Sequence, residues 1–378
     1  MIVRRLLAIC CLGAALLPGL ACAGEQGTAE EAPRLTASEA RAIAGVQRLL
    51  RRSAAADLFS GAVLVAKNGR VLFGRAYGLA DRERRIPNTV ETRFRIGSMN
   101  KMFTATAILQ LVEAGKVELT APLGTYLRDY PNREVAAKVT IQHLLTHTGG
   151  TGDIFGFDFD AHRTELRTLG DYVKLYGERP LEFEPGSRWA YSNYGFILLG
   201  LVIEKVTGQS YYDYVQDHLY DPAGMTATGS LPEDQEVRDR SVGYMTRPGA
   251  TEPIPNTDTL PYRGTSAGGG YSTVGDLARF AHALLSHKLL SAESTKLLIG
   301  GKVESFVIGV RYAYGVEDGR DADGNGWVGH RGGAPGMNGD LRIYPKSGYV
   351  VAALANIDPP AAQRATAWVC AYVLSPPC

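Results

Sequence analysis

The sequence predicts a mixed α/β (α+β) fold, in which an antiparallel β-sheet formed from both ends of the chain is flanked by helices and carries an inserted, mostly helical lobe. Two observations predict this fold. Runs of apolar and β-branched residues typical of strands occur at residues 61–78 and again at 327–356. Between them, apolar residues recur at helical spacing, and long connections rich in glycine, proline and aspartate join these segments.

The N-terminal 23 residues have the pattern of a secretory signal, with two arginines, an apolar run and a small-residue cleavage site that ends at Ala23. Residues 24–35 are polar and predict a flexible leader, so we expect one domain over residues 36–378. A periplasmic or secreted protein follows, with no transmembrane segment in the mature chain. Lipidation of Cys22 is the alternative, but Gly19 stands where bacterial lipoprotein signals usually have leucine.

The charge balance argues against several classes of partner. The 378 residues include 40 basic and 39 acidic side chains, for a net charge of +1. Because no global field would attract nucleic acid or an anionic surface, we expect a small-molecule or peptide substrate and a monomer. After cleavage only Cys370 and Cys378 would remain, and whether they form a disulfide is left open.

The predicted domain divides into three parts. It opens with a helix capped by Ser38, followed by two strands around a turn at Asn68-Gly69. The middle contains helical patterns at 139–147, 196–208 and 211–225. The C-terminal strands turn at Pro345 to Gly348, and a helix over 361–374 closes the chain.

Ser98 and Lys101 are the first candidate functional residues. They lie three positions apart at the start of an almost wholly apolar helix, and therefore share one face of it. Burial and the positive end of the helix dipole both disfavour the lysine ammonium, so Lys101 can act as a neutral base that takes the proton of Ser98. The spacing alone is weak support, since about one S-x-x-K is expected by chance in a chain this long.

Two further motifs strengthen the case. Tyr191 and Asn193 form Y-S-N before an apolar helix, and His330-Arg331-Gly332 forms H-x-G. With the segment from Gly97 to Lys101, they resemble the S-x-x-K, Y-x-N and H-x-G motifs of the serine β-lactamase and penicillin-binding-protein superfamily, in the order that family has them. The likeness extends over about residues 50–357, and is greatest to its class C-like β-lactamase, esterase and D-amino-peptidase branch.

The resemblance implies a β-lactamase/transpeptidase-like fold and an acyl-enzyme mechanism without metal or cofactor. Ser98 would be the nucleophile, Lys101 its base, and Tyr191 a proton relay to the leaving group and later to water. The backbone N–H groups of Ser98 and Gly333 would form the oxyanion hole.

The same resemblance places four residues around the substrate: Asn193, His330, Arg331 and Gly332. Asn193 would bond Lys101 and the substrate, and His330 would donate a hydrogen bond to Tyr191 or to the substrate. Arg331 occupies the middle position of the motif, where family members often have a residue with a hydroxyl group. We expect its side chain to point into solvent.

The expected substrate is an ester, an amide or D-amino peptide, or a lactam. In many esterase-like and carboxypeptidase-like members of the family, H-x-G replaces a K-[ST]-G motif. Because this chain has the histidine, we expect an esterase or a peptidase rather than an efficient penicillin-type β-lactamase. The alternative is a non-turnover sensor or binding protein that uses the same pocket.

Several other patterns compete with this interpretation. Gly264 to Gly268 matches the nucleophile elbow G-x-S-x-G, but Pro261 precedes it and three glycines follow Ser266. His143 and His147 have zinc-ligand spacing without a glutamate between them, which favours a structural pair.

Three more segments are given structural interpretations. Tyr130 to Asn132 and His147 to Gly149 repeat Y-x-N and H-x-G outside the expected order, so we interpret both as structural. Asp321 to Gly326 imitates a calcium loop but is more simply a turn. Phe155 to Phe159 either lines a substrate entrance or packs in the core.

Overall fold

The computed structural model of the protein describes residues 36–374; the predicted signal, the leader up to residue 35 and Cys378 lie outside the described residues. In chain order, the strands are β1 (Gly61–Lys67), β2 (Arg70–Tyr77), β3 (Leu79–Asp81), β4 (Ile86–Pro87), β5 (Phe94–Arg95), β6 (Tyr244–Met245), β7 (Ile254–Pro255), β8 (Tyr271–Ser272), β9 (Val303–Glu304), β10 (Arg311–Tyr312), β11 (Glu317–Arg320), β12 (Gly326–Ala334), β13 (Met337–Tyr344) and β14 (Tyr349–Ala355).

The α-helices are α1 (Ala37–Ala55), α2 (Asn100–Glu113), α3 (Arg133–Lys138), α4 (Ile141–Leu145), α5 (Phe157–His162), α6 (Leu169–Tyr176), α7 (Asn193–Thr207), α8 (Tyr211–Val215), α9 (Asp221–Ala223), α10 (Val274–Leu285), α11 (Ala292–Ile299) and α12 (Ala361–Val369). None of the helices within residues 36–374 combines the length and the apolar character that a bilayer crossing requires.

The predicted sheet from both ends of the chain is confirmed. Its strands are ordered β2-β1-β14-β13-β12-β11-β10-β9, and those neighbours pair antiparallel. Strand β1 pairs with β14 from Gly61 opposite Ala355 to Lys67 opposite Tyr349, which joins the two ends of the fold. The helical segments between β5 and β8 form the inserted lobe.

Alternation along β1 divides the core into two layers. Val63 and Val65 pack with residues of α1 and α12, while Ala62 and Leu64 face α2, α7 and α10. Successive side chains of a strand point to opposite faces, so one strand can serve both layers. The second layer contains helix α2, which begins two residues after the predicted nucleophile Ser98.

Two details of the helices differ from, or extend, the sequence-based expectations. Helix α1 is capped by Thr36 rather than Ser38: the Thr36 hydroxyl accepts from the Glu39 N–H at 3.1 Å, and the Glu39 carboxylate accepts from the Thr36 N–H at 2.9 Å. This reciprocal pair satisfies more backbone groups than a serine two residues later can. The thiol of Cys370 is buried, 3.0 Å from the Tyr344 hydroxyl, and has no disulfide partner within residues 36–374.

Asn338 ties the functional strand β12 to the helix behind it. Its side-chain Nδ2 donates to the Gly332 carbonyl at 2.8 Å, and its Oδ1 accepts from the Ala362 N–H at 2.7 Å. The side chain is 1% exposed, so water cannot replace either bond.

Asn338→Ala should lower the free energy of unfolding by about 2–4 kcal/mol, because it leaves two buried backbone groups without partners. Asn325→Ala, in the exposed turn between β11 and β12, is the matched control and should change it by less than about 0.5 kcal/mol. Urea unfolding of both variants measures the difference. Equal effects would show that the Asn338 bonds do not stabilise β12.

Candidate active site

The candidate nucleophile lies where a 3-10 turn, Gly97–Met99, runs into α2. Gly97 has φ of +53°, and a Cβ at this position would lie 3.0 Å from the Gly333 backbone nitrogen, so both conformation and space favour glycine. Ser98 remains partly exposed, whereas Lys101 one turn later is 0% exposed. The Lys101 Nζ lies 3.3 Å from the Ser98 Oγ.

The Lys101 amine has two strong acceptors besides Ser98. It donates to Asn193 Oδ1 at 2.7 Å and to the Ala267 carbonyl at 2.5 Å. A neutral amine has two hydrogens and one lone pair; when those two acceptors take the hydrogens, the lone pair is left for Ser98.

Electrostatics favour that neutral form. Burial lowers the pKa of Lys101 to about 7, although the Asp153 charge acts in the opposite direction. A substantial fraction of the amine is therefore unprotonated at neutral pH.

Asp153 determines which way the Asn193 amide faces. Its carboxylate accepts from the Asn193 backbone N–H at 2.8 Å and from Asn193 Nδ2 at 3.1 Å. With Nδ2 held there, Oδ1 must point to Lys101. The sequence interpretation missed this role, because Asp153 lies in a loop whose composition carries no periodic signal.

The segment 264–270 supports α2 from the other side. The carbonyls of Thr265, Ser266 and Ala267 accept from Asn100, Thr104 and Lys101 respectively. Ser266, the serine of the competing G-x-S-x-G motif, is fully buried, and its hydroxyl has no hydrogen-bond partner among residues 36–374. An enclosed serine without a base cannot serve as an elbow nucleophile, so the segment is a structural support for Lys101.

Tyr191 completes the group around Ser98. Its ring lies 4.7 Å from the Lys101 Nζ. Burial raises the pKa of Tyr191 above its ordinary value, and the nearby Ser98 hydroxyl only partly offsets this. At neutral pH it is a phenol that can donate or relay a proton, and Lys101 is the better base.

The third motif is arranged differently from expectation. His330 is buried, and its Nε2 is 3.0 Å from the Tyr312 hydroxyl rather than bonded to Tyr191. Burial and the Lys101 charge lower the pKa of His330 to about 3, so it is neutral. Its Nδ1 bonds to the Arg331 carbonyl, which leaves Nε2 to accept from Tyr312.

The sequence predicts that Arg331 points into solvent, but the side chain is paired with another residue. Its guanidinium forms a bidentate ion pair with Glu317, with N–O distances of 2.7 and 2.8 Å. Arg331 and His330 are successive residues of β12, so their side chains start from opposite faces of the sheet. The structure therefore gives Arg331 an ion-pair partner in place of a substrate carboxylate.

Close packing sets β12 against the turn that carries Ser98. A Cβ on Gly332 would lie 1.9 Å from the Ile96 carbonyl oxygen, so β12 can approach the turn that carries Ser98 only with glycine there. This approach brings the Gly333 backbone beside Gly97 and Ser98.

A cleft of about 320 Å³ opens beside Ser98 and Asn193. It is lined mainly by apolar side chains: Ile154, Phe155, Phe159, Tyr172, Leu260, Pro261 and Met337. Its charged lining residues are Asp160 and Arg263, and the Arg263 guanidinium stacks over the Tyr212 ring at 3.3 Å from the centroid. Phe155 and Phe159 thus line a candidate substrate entrance.

Comparison with known proteins identifies the family. The family model described as Beta-lactamase matches residues 46–371. The chain belongs to the Beta-lactamase family. Penicillin-binding protein 4 of Amycolatopsis lactamdurans is 30% identical over 298 residues, which cover 74% of this chain and 76% of that protein.

Two further relatives of the chain come from the same superfamily. The crystal structure of a penicillin-binding protein from Bacillus halodurans has a TM-score of 0.76 and 35% identity, and the match covers 84% of this chain and 98% of that one. Esterase EstB of Burkholderia gladioli is 35% identical over 192 residues, 47% of this chain and 49% of that protein. The chain is therefore a member of a hydrolase family with a β-lactamase/transpeptidase fold.

The structure also shows where the competing sequence patterns lie. His143 belongs to a capping box with Thr140, and no group of three potential metal ligands occurs in the described part of the chain. Tyr130 is buried and bonded to the Tyr194 hydroxyl at 3.0 Å. Asp321 accepts from backbone groups of its own exposed turn. His147, by contrast, contacts Tyr191 directly.

Lys101→Met should raise the free energy of unfolding at pH 7 by roughly 1–3 kcal/mol, since it removes a buried amine whose ionisation costs stability. Between about pH 7 and 10.5 the unfolded chain holds a proton that folded Lys101 does not, so wild-type stability rises with pH there and the gap narrows. Denaturant unfolding at several pH values measures this, with the exposed Lys116→Met as control. A gap independent of pH would contradict the pKa assigned to Lys101.

Proposed function

We propose that the protein is a serine hydrolase that cleaves an ester or amide with an apolar group through an acyl-enzyme on Ser98. The predicted signal supports a periplasmic or secreted location. The observation that carries the proposal is the buried Lys101 amine, 3.3 Å from the Ser98 Oγ and with a pKa near neutrality.

Acylation uses the geometry around Ser98 directly. Neutral Lys101 takes the Ser98 proton as Oγ attacks the substrate carbonyl, and the backbone N–H groups of Ser98 and Gly333 hold the oxyanion. The proton then passes through the Tyr191 phenol to the leaving alcohol or amine as its bond to the carbonyl carbon breaks. Lys101 ends the step neutral again.

Deacylation reverses the same proton path. A water replaces the leaving group, gives a proton through Tyr191 or Lys101, and attacks the acyl carbon. The acid product leaves, and Ser98 regains its proton. A non-turnover sensor would have to lack this second half, yet the base and the phenol that it requires are both beside Ser98.

The lining of the cleft supports a substrate with an apolar group, because most of its side chains are apolar. Arg331, the cation of the H-x-G motif, is already paired with Glu317. A substrate carboxylate would therefore bind Arg263, a cation that lines the cleft over the Tyr212 ring. Relatives include a protein named esterase EstB, which agrees with an ester as substrate.

Ser98→Ala should abolish both labelling by a fluorophosphonate probe and steady hydrolysis of nitrophenyl butyrate. Ser266→Ala is the matched control, because its hydroxyl has no partner among the described residues 36–374 and its backbone carbonyl remains; it should keep the wild-type rate. Time courses with the ester, a D-amino peptide and a chromogenic cephalosporin compare the substrate classes. A single burst of one equivalent without turnover on all three would indicate the sensor instead.

The kcat/KM for the nitrophenyl ester should rise about tenfold per pH unit below the Lys101 pKa and level off above about pH 7, because the protonated amine cannot act as base. The rate is measured between about pH 5 and 9, on either side of the Lys101 pKa. Any residual rate of Lys101→Arg should lack this inflection, since arginine stays protonated. A wild-type rate that is flat from weakly acidic to neutral pH would exclude Lys101 as the base.

A further inference from the structure

His147 forms hydrogen bonds to the residues before and after Tyr191, the candidate proton relay, but takes no part in the proposed reaction steps. Its carbonyl oxygen accepts from the Ala190 N–H at 2.9 Å, and its Nδ1 accepts from the Ser192 N–H at 3.1 Å. These two bonds hold the residues on either side of Tyr191. The His147 and Tyr191 ring centroids are 4.3 Å apart, with a 37° angle between the planes.

The surroundings of His147 are built for this arrangement. Tyr191 lies in a connection outside regular secondary structure, immediately before the Ser192 cap of α7, so no helix or strand ladder fixes its backbone. His147 itself is 1% exposed and has φ of +59°, a conformation that non-glycine residues seldom adopt. Such positions recur at functional sites, where the surrounding structure maintains them.

The accepting bond also requires a neutral imidazole with its proton on Nε2, because a protonated Nδ1 cannot accept from Ser192. The titratable groups that face the ring are Lys101, His330, Tyr191 and Tyr312. Burial, followed by the charge of Lys101, keeps the pKa of His147 well below its ordinary value. Nε2 is buried and has no hydrogen-bond partner within residues 36–374, so the acceptor Nδ1 is the nitrogen in use.

We propose that His147 is a positioning residue for the reaction: its backbone carbonyl and neutral Nδ1 anchor residues 190–192 and hold the Tyr191 phenol beside Ser98. The inference rests on the proposed function. It assigns to this buried histidine a role that neither zinc-ligand spacing nor an H-x-G motif describes.

Two substitutions separate the anchoring bond from simple packing. His147→Phe keeps an aromatic ring against Tyr191 but has no acceptor for the Ser192 N–H. His147→Asn places an amide oxygen near the position of Nδ1 and tolerates positive φ. The expected result is a fall of about 100-fold in kcat for the phenylalanine variant with KM changed less than about twofold, as for a misplaced catalytic group. The asparagine variant should recover most of that loss.

His143→Asn is the matched control, because His143 also accepts a backbone N–H but caps α4 without contacting Tyr191. It should keep the wild-type kcat. Thermal unfolding is measured for every variant, so that kinetics are compared only with the folded fraction.

A double-mutant cycle with Tyr191→Phe decides the case. If His147 acts through the phenol, His147→Phe should cost less than about twofold in a Tyr191→Phe background, whereas independent structural damage would add fully. A full additional loss there, or wild-type kcat in His147→Phe itself, would overturn the positioning role. If wild-type Ser98 neither labels nor turns over ester, the proposed function fails and the positioning role with it.

Discussion

The withdrawal of the Lys101 amine from water is the constraint on which the rest of the site depends. In water, a lysine amine is protonated at neutral pH and cannot accept a proton. Here it is enclosed by α2, α7 and the segment 264–270, and the oxygens of Asn193 and Ala267 replace its hydration. Asp153 contacts Asn193 rather than the amine. A carboxylate in direct contact would have stabilised the ammonium and removed the base.

This constraint explains features that are otherwise costly. The carbonyls of the segment 264–270 accept hydrogen bonds from α2 side chains, and Gly97 takes a left-handed conformation where β12 approaches Ser98. The buried Glu317 and the partly exposed Arg331 form an ion pair on the neighbouring strands β11 and β12. Each of these features lowers the stability of the fold locally, as expected where the surrounding structure maintains a strained or partly buried polar arrangement. The stability of the large two-layer core offsets these costs.

The sequence was sufficient for the architecture and for the residues that carry motifs. The strands at both ends, the apolar α2 and the S-x-x-K, Y-x-N, H-x-G order are local or periodic signals, and the structure brings Ser98, Lys101 and Tyr191 into contact. The partners that orient those residues could not be predicted in the same way. Asp153, Ala267 and His147 lie in or beside connections, where pairings between distant residues leave no period to detect. The expectation that Arg331 points into solvent was wrong for the same reason, because its partner Glu317 lies on a neighbouring strand.

The adjacency of β1 and β14 has a consequence for the order of assembly. Their register joins residues almost three hundred positions apart, and β13 and β12, which bear on the Ser98 turn, are held between β14 and the rest of the sheet. During synthesis from the N-terminus, the chain emerges with Ser98 long before these strands exist. Closing so long a loop is the slow part of such a topology. The packing that sets β12 against the Ser98 turn can therefore form only after the last strand of the sheet has been made, so the candidate site is completed late in folding.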